Sequence, residues 1–205
     1  LAPQLALLQK VKAMLDDDKP IFSDSDLLAQ VNEDFYDLHL LTAKPIIYLF
    51  NVDEATLTDT EKQKQLEALV GHSQVLFVNA KLEDELRSLD GDDRTEMLQS
   101  YGVQESGLVK LIHAAFATLG LQSYLTAGEK EIRSWTIAQG ATAPQAAGAI
   151  HGDFEKGFIA AQIFDYNDLI AAGSEQAAKA AGKLRTEGKT YVMQPNDVVE
   201  FRFNV

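Results

Sequence analysis

Apolar residues run without alternation from Pro45 to Phe50 and stop at the polar stretch Asn51-Val52-Asp53-Glu54. A continuous apolar run bounded by Pro and turn formers predicts a strand buried on both faces. Helical spacing follows over Thr58–Val70, with Gly71 in the helix-stop position and His72, to which no role is assigned, in the turn. A second apolar run, Val75–Ala80, then ends in Asn79-Ala80-Lys81. Strands of this kind belong to parallel sheets flanked by helices, whose ligands bind beyond the carboxyl ends of the strands. Upstream, Leu5, Leu8, Val11, Met14 and Leu15 predict a helix over Leu1–Asp18, broken by Lys19-Pro20. A second helix is expected over Ser25–Leu41, capped from Ser23-Asp24-Ser25-Asp26, with Leu27, Leu28, Val31, Phe35, Leu38 and Leu41 on one side. Downstream, Leu82–Leu89 and Asp92–Tyr101 read as short acidic helices joined by Gly91, and Ser106–Leu119 as an apolar helix that packs back on the sheet.

The pattern changes at Gly120, where a domain boundary is expected. Short strands are predicted at Ser123–Ala127, Ile132–Ile137, Ile159–Phe164, Tyr191–Met193 and Val198–Phe203. Between them lie a helix over Thr142–His151, with Pro144 in its first turn, and an Ala-rich helix over Ser174–Leu184. A hairpin, a helix and further strands predict an α+β β-grasp sheet carrying a helix across one face.

Composition narrows the setting. A chain of 205 residues with 46% apolar content can bury a sizeable core. It contains no cysteine, so disulfide and thiol chemistry are excluded, and no apolar run is long enough to cross a bilayer. These features imply a reducing, cytoplasmic setting with no membrane partner. Leu1, in place of Met, lies inside a helical pattern, and the chain is expected to be a fragment. The net charge of −13 is uneven: residues 1–120 carry 10 basic and 21 acidic side chains (−11), and residues 121–205 carry 8 and 10 (−2). The acidic front part argues against phosphate-backbone binding there, because such binding rests on Lys and Arg.

Two parallel strands, each ending in an Asn-bearing loop, form the arrangement with which P-loop GTPases hold a nucleotide base. An Asn after a strand also serves as a turn former or helix N-cap, and the residues alone leave both readings open. Two other constellations lose their chemical reading. Gly188-Lys189-Thr190 looks like the end of a P-loop, but the earlier Gly would have to stand where Lys183 does, and a strand is expected to follow. His151 with Asp153 and Glu155 could suggest a metal or acid–base site, but the other histidines are remote in sequence, so capping or packing is the expected role.

Asn51-Val52-Asp53-Glu54, the Trp135-Thr-Ile segment, Gly140–Gly148, His151–Phe158, and Asp197 before the closing Phe-Arg-Phe-Asn-Val205 together resemble the C-terminal part of the YchF family. These are Obg-related, TRAFAC-class P-loop ATPases/GTPases that end in a TGS domain. The resemblance implies an incomplete P-loop NTPase parallel sheet with a helical insertion, followed by the β-grasp TGS domain. It divides the chain into part of the insertion (1–43), the C-terminal part of the nucleotide-binding domain (44–120) and the TGS domain (121–205). It implies a nucleotide base site at Asn51, Val52, Glu54, Asn79 and Ala80, with N-x-x-E where most GTPases have Asn-Lys-x-Asp, and ATP favoured over GTP. Asn79 stands where the family has Ser or Cys more often, so a backbone contact is the firmer expectation there.

The Walker A sequence, the switch loops and the acidic Mg²⁺ residue belong to the family's front half. ATP or GTP with Mg²⁺ is therefore expected of a longer parent hydrolase, while this chain is expected to supply no catalytic or metal residue. The resemblance also implies association with the ribosome (large subunit) or RNA through the TGS domain, without DNA specificity. Candidate contacts are Lys130, Arg133 and Lys156, joined by Lys183, Arg185, Lys189 and Arg202 if these converge on the sheet face away from the helix. The alternative is a non-catalytic RNA- or protein-binding adaptor.

Overall fold

The computed structural model describes residues 2–70, 74–128 and 131–204. Gly71, His72 and Lys130 lie outside them. The chain divides into two compact units, Leu1–Thr118 and Leu119–Val205.

The first unit begins with α1 (Ala2–Asp16) and α2 (Ser25–Asp34). Asp24 caps α2 by accepting hydrogen bonds from the N–H groups of Asp26 (3.1 Å) and Leu27 (3.0 Å). Leu7 and Val11 of α1 pack with Ile21, Leu27 and Val31, and Ile21 is fully buried. The expected apolar stripe of α1 is therefore displaced: Leu7 is inside, while Leu5, Leu8 and Leu15 are exposed. With Leu5, Leu7 and Leu8 all apolar, the sequence permits either stripe, and the position of α2 selects the i, i+4 pair Leu7–Val11. The second helix also stops earlier than expected. Glu33 and Asp34 end it without a basic residue in the last turn, an unfavourable charge for a helix C-terminus. Turns of 3₁₀-helix follow at Tyr36–Leu38 and Leu41–Ala43, leaving Leu38 and Leu41 exposed.

Strand β1 (Ile47–Asn51) is followed by α3 (Glu54–Thr58), α4 (Thr60–Glu67) and β2 (Gln74–Val78). The crossover helix expected over Thr58–Val70 is realised as the shorter α4, and α3 precedes it unexpectedly, each started by its own aspartate cap, Asp59 and Asp53. The strands pair in parallel, from Ile47 opposite Gln74 to Asn51 opposite Val78. The order continues with α5 (Ala80–Leu86), α6 (Gly91–Ser100) and α7 (Gly107–Thr118). Helix α7 packs against both strands, and Phe50 stacks on Phe77 with centroids 5.7 Å apart. The expected burial of β1 on both faces is not realised, since Leu49 remains 46% exposed. In the described residues this sheet has two strands, so each keeps an open edge.

The second unit contains β3 (Leu121–Ala127), β4 (Ile132–Ala138), α8 (Ala143–Ile150), α9 (Gly152–Lys156), β5 (Phe158–Asp165), α10 (Tyr166–Ala172), α11 (Glu175–Ala180), β6 (Arg185–Glu187) and β7 (Asp197–Phe203). The strand order is β4-β3-β7-β5-β6, antiparallel except for the central β3–β7 pair. Side-chain alternation gives the sheet two apolar faces. Ile137, Ile163, Val199 and Phe201 meet Ala143, Ala146 and Ala147 of α8, while Phe164 and Val198 meet Ala178 of α11. Sequence periodicity placed a strand at Tyr191–Met193, but only the single bridge Thr142–Val192 forms there. The Tyr191 carbonyl accepts from Ala143 N–H, and Met193 N–H donates to the Ala141 carbonyl, so this segment holds the entry to α8 instead. The real edge strand, Arg185–Glu187, is too short and polar to announce itself. Behind that edge Asp197 is buried, accepting from Tyr191 Oη (3.0 Å), Gln194 N–H (2.8 Å) and Arg185 (3.2 Å).

Tyr124 lies at 0% exposure and donates from Oη to the Ala146 carbonyl at 2.8 Å. Burial pushes its phenol well above the ordinary value near 10, because a phenolate there would lose its hydration. Its folded pKa is raised, so its contribution is complete below about pH 10 and is lost as pH climbs further. Chemical denaturation at pH 8, 10 and 11 is expected to show a steepening loss of stability in the wild type above pH 10. Tyr124→Phe should lower stability by about 1 kcal/mol at pH 8 and flatten that alkaline loss.

Candidate functional site

The parallel register brings the ends of β1 and β2 to one edge of the small sheet, and four of the five sequence-predicted base residues are tied together there. Asn51, the last residue of β1, accepts at Oδ1 from Ala80 N–H at 3.0 Å. Asn79, just past β2, donates from Nδ2 to the Val52 carbonyl at 2.7 Å and accepts at Oδ1 from Leu82 N–H at 2.9 Å, capping α5. Val52 N–H donates to the Val78 carbonyl at 2.8 Å, extending the sheet by one bond. Glu54 opens α3, and its side chain is exposed beside this crossing, as is that of Asn51. Fixing Asn51 Oδ1 on a backbone donor leaves its Nδ2 as the outward group, a hydrogen-bond donor.

Asp53 has a local task that sequence reasoning passed over. It accepts from Thr56 N–H at 2.9 Å and caps α3. Hydrogen bonding from Thr56 holds its carboxyl below the usual carboxylate range, against a small opposing effect of burial. The signal was present in Asp53-x-x-Thr56, a cap residue at the start of a helical segment. Glu83, also missed, accepts from Gly107 N–H (2.6 Å) and Leu108 N–H (3.3 Å), so α5 holds the start of α7. Nothing in the sequence pairs residues so far apart.

The candidate cations of the second unit do not gather on one face among the described residues. Arg133 shares the α8 face with Trp135 and Ile137, and its guanidinium lies 4.2 Å from the Trp135 ring centroid. Arg202 alternates onto the opposite face from Phe201. Acidic partners accompany Arg133 (Glu131, 3.8 Å), Lys183 (Asp168, 3.2 Å), Arg185 (Asp197, 3.2 Å) and Arg202 (Glu200, 3.5 Å). Lys156 ends α9 and is exposed, and Lys189 lies in the turn after β6. The P-loop-like Gly188-Lys189-Thr190 has no helix after it. His151 caps α9, its Nδ1 accepting from Asp153 N–H at 3.2 Å, so of the two expected roles, capping or packing, the structure shows the cap. Among the described residues no three His, Cys, Asp or Glu side chains gather as a metal site. No described helix is long and apolar enough to cross a membrane.

This is an α/β protein whose parallel β–α–β unit ends in two interlocked Asn loops and is joined to a unit with a mixed five-stranded sheet. Residues 121–204 match the family model described as "YchF-GTPase_C: Protein of unknown function (DUF933)". Similar proteins include the "Ribosome-binding ATPase YchF" of Bacillus subtilis, 43% identical over 207 residues that cover 98% of this chain and 56% of the relative. The "Obg-like ATPase 1" of Rattus norvegicus is 39% identical, with 100% of this chain and 53% of the relative covered. A solved structure of the Schizosaccharomyces pombe YchF GTPase superposes with a TM-score of 0.79 at 34% identity, covering 98% of this chain and 55% of that one. The chain belongs to the YchF family, and it spans about half the length of the curated relatives it matches.

Gly107 couples the site edge to the helix beneath. A Cβ there would stand 2.4 Å from Val78 Cγ1, at the last residue of β2. Gly107→Ala is expected to lift α7 from the strand end and destabilise the first unit by about 1–3 kcal/mol, the range for overpacking. A urea titration of the variant, read with amide exchange at Val78, checks both the size and the location of the effect.

Proposed function

We propose that this chain supplies the base-recognition edge of a nucleotide-hydrolysing, ribosome-associated protein, and that adenine is favoured over guanine there. The observation that carries the reading is the crossing of Asn51 and Asn79 at the carboxyl edge of a parallel sheet, with Glu54 exposed beside it. Asn51 Nδ2 suits a ring-nitrogen acceptor that adenine and guanine share, so it anchors without choosing. The choice rests on Glu54. An Asp carboxylate in the corresponding place accepts two hydrogen bonds from guanine, from the ring N–H and the exocyclic amino group. Glu carries its carboxylate one methylene farther out, and adenine has neither donor at that edge. Asp53 is no substitute, since its carboxylate is committed to the α3 cap. Sites whose polar groups match one base can reject another by roughly 10⁴-fold.

In this reading residues 1–43 belong to a helical insertion, 44–120 to a nucleotide-binding domain and 121–205 to a TGS domain. The strand order β4-β3-β7-β5-β6 with α8 across one face supports a β-grasp assignment for the last. Phosphate and Mg²⁺ binding are assigned to the longer protein, which is cytoplasmic in this reading. The names of the relatives, "Ribosome-binding ATPase" and "Obg-like ATPase", support nucleotide hydrolysis and ribosome association for it.

Affinities of the full-length protein for ATP and GTP test the base assignment. Glu54→Asp combined with Val52→Lys should move the ratio towards GTP by about fivefold or more, the equivalent of one or more hydrogen bonds of about 1 kcal/mol each. An unchanged ratio would remove Glu54 from base recognition.

The acidic neighbours of Arg133, Lys183, Arg185 and Arg202 favour a second reading of the partner, in which the sheet unit docks on protein rather than on RNA. Ribosome affinity across a salt series separates the two. Arg133→Ala and Lys156→Ala should each reduce the salt slope by about one if those groups neutralise phosphates. An affinity insensitive to salt points to a protein contact.

A further inference from the structure

Asn51 and Asn79 each reach across to the backbone of the other's loop. Asn79 Nδ2 bonds to the Val52 carbonyl at 2.7 Å, and Asn51 Oδ1 bonds to Ala80 N–H at 3.0 Å, linking segments 27 and 29 residues apart in sequence. The remaining polar atom of Asn79, Oδ1, takes Leu82 N–H at 2.9 Å. We infer that Asn79 is a positioning residue: a latch that fixes Val52 against the start of α5 without touching the base, while Glu54 is held separately by the Asp53 cap of α3. This rests on the base-recognition reading above and gives Asn79 a different task within it.

The amide of Asn79 supplies both halves of the latch, a donor to the Val52 carbonyl and an acceptor for Leu82 N–H. Only a side chain with both a donor and an acceptor can hold a carbonyl in one loop while capping a helix in the other. A Ser hydroxyl can still accept from Leu82 N–H, but it is too short to reach the Val52 carbonyl while doing so. An Asp can cap as well, but it sets an anion against that carbonyl. Asn79→Ser therefore removes the latch and keeps the cap. A latched edge is ordered on folding rather than on binding, which raises affinity by preorganisation. Because the latch contacts no base atom, ATP and GTP should gain from it equally. Glu54, by contrast, acts on their ratio.

The test uses the full-length protein with Asn79→Ser, Asn79→Asp and Glu54→Asp. The measurements are ATP and GTP affinities by titration, amide exchange at Ala80 and Tm. Asn79→Ser should weaken both nucleotides alike, by about five- to tenfold, and speed exchange at Ala80, with the ATP:GTP ratio unchanged. Asn79→Asp should weaken them at least as much. Glu54→Asp should change the ratio. A changed ratio in Asn79→Ser would mean that Asn79 itself reads the base and would overturn the latch. So would affinities at the wild-type level with only a lowered Tm; if Glu54→Asp still shifted the ratio in that case, base recognition would stand and the latch alone would fall. No effect of any variant on either nucleotide would remove base recognition from this edge, and the latch with it.

Discussion

Parallel pairing of Ile47–Asn51 with Gln74–Val78 is the constraint on which the candidate site depends. Because Asn51 stands opposite Val78, both chains leave the sheet at the same level. One residue farther on, their backbone groups lose sheet partners and must find others. Val52 N–H takes the Val78 carbonyl, the Val52 carbonyl takes Asn79, and Ala80 N–H takes Asn51. The site is the place where a parallel ladder runs out and amide side chains complete it. A slip of one residue in the register would turn the side chains to the other face and separate the two loops.

The same edge is held from beneath. Glu83, one turn into α5, accepts from the first N–H groups of α7, and Gly107 allows that helix to approach Val78. Motion of either Asn loop is thereby coupled to helix packing. In the second unit the comparable anchor is Asp197, whose partners Arg185, Tyr191 and Gln194 connect the edge strand β6, the irregular segment before α8 and the start of β7. Removing one partner of a buried, hydrogen-bonded charge is costlier than its small size suggests, because the others are left unsatisfied. The adjacent Arg185 illustrates why counting cations overstates a phosphate-binding surface: its charge is already committed within the fold.

Local chemistry decided much by itself. Apolar runs broken by Asn marked both strands of the small sheet, Pro144 marked the first turn of α8, and Asp24 marked the start of α2. These signals work because strand burial, first-turn proline and side-chain caps involve residues a few positions apart, so the sequence carries them directly. Tertiary structure alone decided which of two apolar stripes α1 buries, that Tyr191–Met193 braces α8 instead of joining the sheet, and that Leu49 stays half exposed. It alone turned Asn79 back onto Val52, joined Glu83 to Gly107, and divided Arg133 and Arg202 between opposite faces. Each of those outcomes depends on a partner distant in sequence, and a side chain's free energy in a given place is set by the neighbour it meets there, which residue order does not specify.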